Sequence, residues 1–130
     1  MTIFSKIIKG EIPCFKIAEN EEFIAFLDVR PLQAGHTLVV PKTEIDYIFD
    51  LDDETLKNMM VFAKKVAIAI KKAIPCQRVG VAVIGLEVPH CHIHLTPINF
   101  LSDMDFSKPK SFSSEEMSAI ALNINQYLEH

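Results

Sequence analysis

The sequence predicts an α+β fold: a five-stranded antiparallel sheet with one long helix and one C-terminal helix. Three observations carry this. Residues 53 to 74 repeat apolar side chains at helical spacing for roughly six turns of 3.6 residues. Five short runs rich in β-branched and aromatic residues lie outside that stretch. The early runs are joined by links too short for the crossover a parallel pair needs, so they must pair antiparallel.

Each element has its own local reason. Residues 3 to 9, IFSKIIK, place Phe4, Ile7 and Ile8 at helical spacing; Gly10 stops the turn and Pro13 prevents its continuation. Cys14 to Ala18 and Phe23 to Leu27 read as strands joined at Asn20-Glu21-Glu22. Residues 28 to 35, DVRPLQAG, form a loop punctuated by Pro31 and Gly35, and His36 to Val40 is the third strand. In the long helix, Asp53 to Ile74, the inward stripe is Leu56, Met59, Met60, Ala63, Val66, Ala67, Ile70 and Ile74. Asp52 or Asp53 caps its start, lysines gather at its end as the macrodipole prefers, and Pro75 closes it. Arg78 to Ile84 is the fourth strand and residues 90 to 98 the fifth. Residues 99 to 112 are polar and irregular. Ser113 and Glu116 then form a capping box for a final helix that turns Met117, Ile120, Ala121 and Ile124 inward.

Composition bounds the function. A chain of 130 residues, 49% hydrophobic and 23% charged, fits one globular domain with a real core. A net charge of −4 argues against a surface that coats nucleic acid. No apolar run approaches the ~20 residues that span a bilayer. The three cysteines are scattered without a C-x-x-C, which suggests free thiols and a reducing compartment. The N-terminus lacks the apolar core and cleavage site of a signal peptide, so the expected location is the cytoplasm. Leu128-Glu129-His130 resembles the start of a vector-derived tail, and His130 is given no functional weight.

The chemistry gathers in PHCHIHLTP, residues 89 to 97. On a strand, His90, His92 and His94 share one face, roughly 6 to 7 Å apart, while Cys91, Ile93 and Leu95 face the core. Three readings are open. The row is a polar face that happens to use histidine. Or HxH holds a divalent metal, with His36 or Glu87 supplying a further ligand. Or one neutral imidazole attacks phosphorus to form a covalent phosphohistidine, while its neighbours bind phosphate oxygens and discharge the leaving group.

The stretch His90-Cys91-His92-Ile93-His94-Leu95-Thr96 resembles the signature of the histidine-triad (HIT) family. Residues 3 to 42 are similar to the N-terminal half of its Hint-like branch, including KII-GEIP, the F-D-x-x-P loop and GH-x-LV-x-PK. The resemblance implies a HIT-like fold and a metal-free, cofactor-free nucleotide hydrolase acting on a purine nucleotide such as an AMP derivative. It implies His92 as nucleophile, His94 on the phosphate and leaving-group side, and His90 and His36 as orienting partners. Asp28 would bind the ribose hydroxyls, since a carboxylate can accept two hydrogen bonds, and Phe4, Ile8 and Phe26 would wall the base pocket. Relatives are typically homodimers. The alternatives are a nucleotide-binding module with little turnover, a dinucleoside polyphosphate hydrolase, and a divalent-metal protein.

Three departures from the family stand out, one being the region from Asn99 onward, which is unlike the family pattern and suits a mobile flap or a plain linker equally well. Leu86 and Glu87 replace residues that donate hydrogen bonds to phosphate in most relatives; Glu87 falls on the leaving-group side. Where many bacterial relatives bind a structural zinc, this chain has Thr2, Ser5 and Glu44, so no such site is expected.

Overall fold

A computed structural model describes residues 1–129. One sheet of five antiparallel strands has the order β1-β2-β3-β5-β4, with β1 Lys16–Glu19, β2 Phe23–Leu27, β3 Thr37–Pro41, β4 Arg78–Ala82 and β5 Ile93–Ile98. Helices α1 (Ile3–Ile8), α2 (Asp53–Ala73) and α3 (Ser114–Asn125) complete it.

Residue parity explains how the sheet serves two purposes. All five residues of β2 are buried. Phe23, Ala25 and Leu27 face the main core, where Val39, Ile93 and Leu95 meet Met59, Val66 and Ile70 of α2 and Met117 and Ile124 of α3. The alternate residues Ile24 and Phe26, with Leu38 and Val40 of β3, join Phe4 of α1 in a second apolar cluster on the opposite face. β2 and β3 pair Ala25 with Val39 and Leu27 with Thr37, and β3 and β5 pair Leu38 with His94. The register therefore puts His94 on the α1 face.

The turns have explicit hydrogen bonds. Asn20 lacks a following glycine, yet its Oδ1 accepts from the N–H groups of Glu22 and Phe23 at 2.9 and 2.8 Å and closes the β1–β2 hairpin. Gly10 has φ +78° and ends α1 in the left-handed conformation a side chain resists. With six residues, α1 is too short to persist alone. Burial of Phe4 against Phe26 holds it, worth about 2 kcal/mol. Asp52 caps α2 through Thr55 N–H, and the Ser113–Glu116 capping box forms as the sequence indicates.

Several boundaries differ from the sequence reading. β1 starts at Lys16 rather than Cys14, β3 runs from Thr37 through Pro41 rather than from His36, and β4 stops at Ala82 rather than Ile84. The fifth strand begins at Ile93, not residue 90. Pro89 has no N–H, His90 N–H donates to Val88 O, and Cys91 N–H donates to Ile45 O, so this backbone is committed to loop partners before the ladder begins. On α2, Met60 turns outward at 49% exposure, while Phe62 and Ala69 are buried. Met60 lies ~100° round the helix from Met59, past the edge of the buried stripe. Residues 99 to 112 are not wholly irregular, since Leu101–Met104 forms a 3-10 turn capped by Asp103. Leu128 packs against the main core; the reading of His130 as tail falls outside the described residues. No helix among the described residues is long and apolar enough to cross a membrane.

Candidate active site

Four histidines converge on the α1 face. Only His94 stands on a strand; His92 and His90 lie on the segment that leads into β5, and His36 immediately precedes β3. The row expected on one strand is thus a strand residue continued by a fixed loop. All four rings are buried. Cys91, Ile93 and Leu95 face the main core as expected, and burial raises the Cys91 thiol to about 11, which removes it as a nucleophile.

Hydrogen-bond partners assign each ring its tautomer. Nδ1 of His36 accepts from Leu32 N–H at 2.9 Å, so its proton sits on Nε2. That Nε2–H donates to Nδ1 of His94 at 2.9 Å, which leaves the His94 proton on Nε2. His90 Nε2–H donates to Pro41 O at 2.7 Å, and its Nδ1 accepts from the Thr2 hydroxyl at 3.0 Å. His92 Nδ1–H donates to the carbonyl of His90 at 2.8 Å, so the Nε2 of a neutral His92 carries a lone pair and no proton.

The surroundings keep these assignments in force. Burial drives His94 down to about 3, with repulsion from His92 and His36 adding to it. Burial lowers His36 as well, opposed by the nearby Asp28, and lowers His90 against the pull of Pro41 O and Glu44. Three of the four rings are therefore neutral at neutral pH.

His92 and His94 open onto a cleft of about 430 Å³, within the ordinary range for small-molecule sites. Phe4, Ile7, Phe26, Leu27 and Leu38 supply its apolar wall. Phe4 stands edge-on to His92 with ring centroids 5.1 Å apart, so it supports the imidazole as well as lining the cleft. Ile8 lies outside this cleft: it packs behind Phe4, and Ile7 occupies the wall. Asp28 lines the cleft too. Its Oδ1 accepts from Arg30 N–H at 2.9 Å, while Oδ2 lies 3.7 Å from His36 Nε2. Asp28 thus holds the turn through Oδ1 and also stands on the cleft wall. Leu86 and Glu87 lie exposed at the cleft wall, in the turn where Gly85 takes φ +74°.

Donor atoms of Asp28, His36 and His94 lie within 4.8 Å of one another. Two of these already satisfy each other through the His36–His94 hydrogen bond. The set differs from the HxH pair considered from the sequence, and Glu87 does not belong to it.

Sequence reasoning missed two contributors. Phe106 stands edge-on to His94 with centroids 4.9 Å apart and also faces His36. It is carried by a segment tied to the Asp28–Gly35 loop, because Lys110 N–H donates to Pro31 O and Lys110 Nζ donates to Gln33 Oε1. Nothing in the local pattern of residues 99 to 112 signals that contact. The second is the Thr2 hydroxyl on His90, a contact across 88 residues.

Residues 9–100 match the HIT domain family. The chain belongs to that family. This HIT protein is 42% identical over 97 residues to the adenosine 5′-monophosphoramidase of Saccharomyces cerevisiae, a match spanning 73% of this chain and 61% of that one. A HIT-like protein from Bartonella henselae superposes with TM-score 0.85 at 31% identity, covering 98% of this chain and 96% of that chain. A zinc-bound histidine-triad family protein from Mycobacterium smegmatis superposes with TM-score 0.78 at 27% identity, covering 95% and 93%. The likeness covers the whole sheet and the histidine segment.

Proposed function

We propose that this HIT protein is a nucleotidyl hydrolase of the phosphoramidase type, which releases a nucleoside 5′-monophosphate through a covalent intermediate on His92. The observation that carries the reading is the hydrogen bond from His92 Nδ1–H to the His90 carbonyl, which fixes the tautomer and leaves Nε2 as a lone pair at the cleft. The yeast relative named as an adenosine 5′-monophosphoramidase supports an AMP-like substrate.

In the first step His92 Nε2 forms a bond to phosphorus as the phosphorus–nitrogen bond breaks. The nitrogen takes up a proton from water and leaves as an amine. The neutral His94 ring presents Nε2–H to the phosphoryl oxygens, where charge develops. A water molecule then attacks phosphorus, the bond to His92 breaks, and the monophosphate leaves with the imidazole restored. Asp28 accepts from the ribose hydroxyls, and Phe4, Ile7 and Phe26 cover the base. Glu87 favours an amine over a polyphosphate as leaving group, because its carboxylate repels added negative charge at the wall it lines.

The test compares wild type with His92→Asn on adenosine 5′-phosphoramidate and on diadenosine polyphosphates. Wild type is expected to release AMP, fastest from the phosphoramidate, and the variant to lose at least roughly 10³-fold in kcat. Nucleotide binding without AMP release from either substrate would overturn hydrolysis in favour of a binding module.

A further inference from the structure

Behind His90, on the side away from the cleft, four groups from three parts of the chain form one hydrogen-bonded chain. The Thr2 hydroxyl lies 3.0 Å from His90 Nδ1 and accepts from Ser5 N–H at 3.0 Å. Ser5 Oγ donates to Glu44 Oε1, and Thr2 N–H donates to the same oxygen at 3.0 Å. Glu44 is exposed, yet it closes a bridge across 42 residues to the N-terminus of α1. These donors hold its carboxyl below the usual range, so it remains an anion.

Hydrogen counting fixes the direction. His90 Nε2 faces a carbonyl, which only accepts, so Nε2 carries the proton and Nδ1 is bare. The Thr2 O–H must therefore donate to His90 Nδ1. Its lone pairs take the Ser5 N–H, and the Ser5 O–H goes to Glu44. Glu44 Oε1 is the nearer acceptor for the Ser5 proton, with Thr2 Oγ1 at 3.2 Å, and the chain ends on His90, whose backbone carbonyl accepts from His92 Nδ1–H. Thr2 has a second duty as the N-cap of α1, the helix that carries Phe4 against the His92 ring.

We propose that Thr2, Ser5 and Glu44 are positioning residues for the nucleophile: the exposed carboxylate orients two hydroxyls, which lock His90, whose carbonyl locks His92. None of the three reaches the cleft. They act on the rotation and tautomer of a ring two residues from the one that reacts. The kinetic part of this inference rests on His92 being the nucleophile; the spectroscopic part does not.

The experiment uses Thr2→Ser, Thr2→Asp and Glu44→Ala in the full chain. Aspartate keeps the helix cap but has no hydroxyl proton for His90 Nδ1. A cap-only role for Thr2 would leave Thr2→Asp like wild type. Positioning predicts that it loses roughly ten- to a hundredfold in kcat with KM within about twofold. Thr2→Ser, which keeps the hydroxyl, restores turnover, and Glu44→Ala gives an intermediate loss. Nitrogen NMR of the imidazoles reads the same chain directly. His90 should hold the Nε2–H tautomer, and His92 Nδ1–H should exchange slowly in wild type and Thr2→Ser. In Thr2→Asp and Glu44→Ala that exchange should quicken. Wild-type kcat and unchanged His92 Nδ1–H exchange in Thr2→Asp would overturn the proposal. If wild type itself shows no turnover, the hydrolase reading falls, and the exchange measurement alone decides the positioning role.

Discussion

At the residue scale, all four histidines are buried, and burial holds three of them, His36, His90 and His94, neutral. Their rings titrate lower in the folded chain than the ordinary value of 6.5 for His36, His90 and His94, the last reaching about 3. The sign follows from linkage. As pH falls below 6.5 the unfolded chain takes up protons that the folded chain refuses, so folding stability is complete above 6.5 and drains away as pH drops toward 3. Urea unfolding between pH 7 and pH 4 should show stability falling by up to about 1.4 kcal/mol per pH unit from His94, with His36 and His90 adding to the fall. His94→Asn should flatten that slope, and a flat wild-type profile over the range would refute it. The histidines themselves were legible in the sequence, because alternation and family likeness both single them out. The partners that fix their protons were not. Thr2, Pro41 and Leu32 act through backbone or hydroxyl atoms brought up by tertiary folding, and no spacing rule encodes such a contact.

At the element scale, periodicity located α2 to within a residue at its C-terminal end, and the Ser113 cap located α3. Of the expected inward stripe of α2, Met60 alone turns outward, while Phe62 and Ala69 join the buried set. The sheet beneath the helix is wide, and the buried stripe centres on Met59, Phe62, Ala63, Val66 and Ile70, with Phe62 packed on Phe23 at 5.7 Å. Phe62→Ala should therefore cost about 3–5 kcal/mol by denaturant unfolding, while Met60→Ala should stay within roughly 1 kcal/mol. Equal losses would contradict the helix orientation. The start of β5 was hidden for a different reason. Alternation of side chains continues through residues 90 to 92, although their backbone has left the ladder, so a sequence pattern of period two reports side-chain direction and not strand pairing.

At the scale of the whole molecule, the sheet ends in β4, an edge strand with Val81 exposed and Val83 exposed just beyond its end, beside a helix that exposes Val61 and Ile68. An apolar edge of this kind invites pairing with a second strand. We propose that the protein is a homodimer formed across this surface, and sedimentation equilibrium should return twice the chain mass of 14.7 kDa. Val81→Lys should shift it toward the monomer; a wild-type monomer at micromolar concentration would refute the proposal. The five-strand antiparallel architecture was legible because short links leave few topologies. The path of residues 99 to 112 back over His94 was not, because its anchors are the Pro31 carbonyl and Gln33, far away in sequence.

The two-sided burial of β2 has a consequence in time as well as in space. His94 lies on β5 and His36 immediately precedes β3, both interior strands of the sheet, so their amides should be among the slowest to exchange. Phe4 and Phe106 stand on a six-residue helix and on a loop, which open at far lower cost. The cleft is thus a durable floor under short-lived walls. Its entrance can breathe many times in the life of one folded molecule while the protons on its histidines stay where they are.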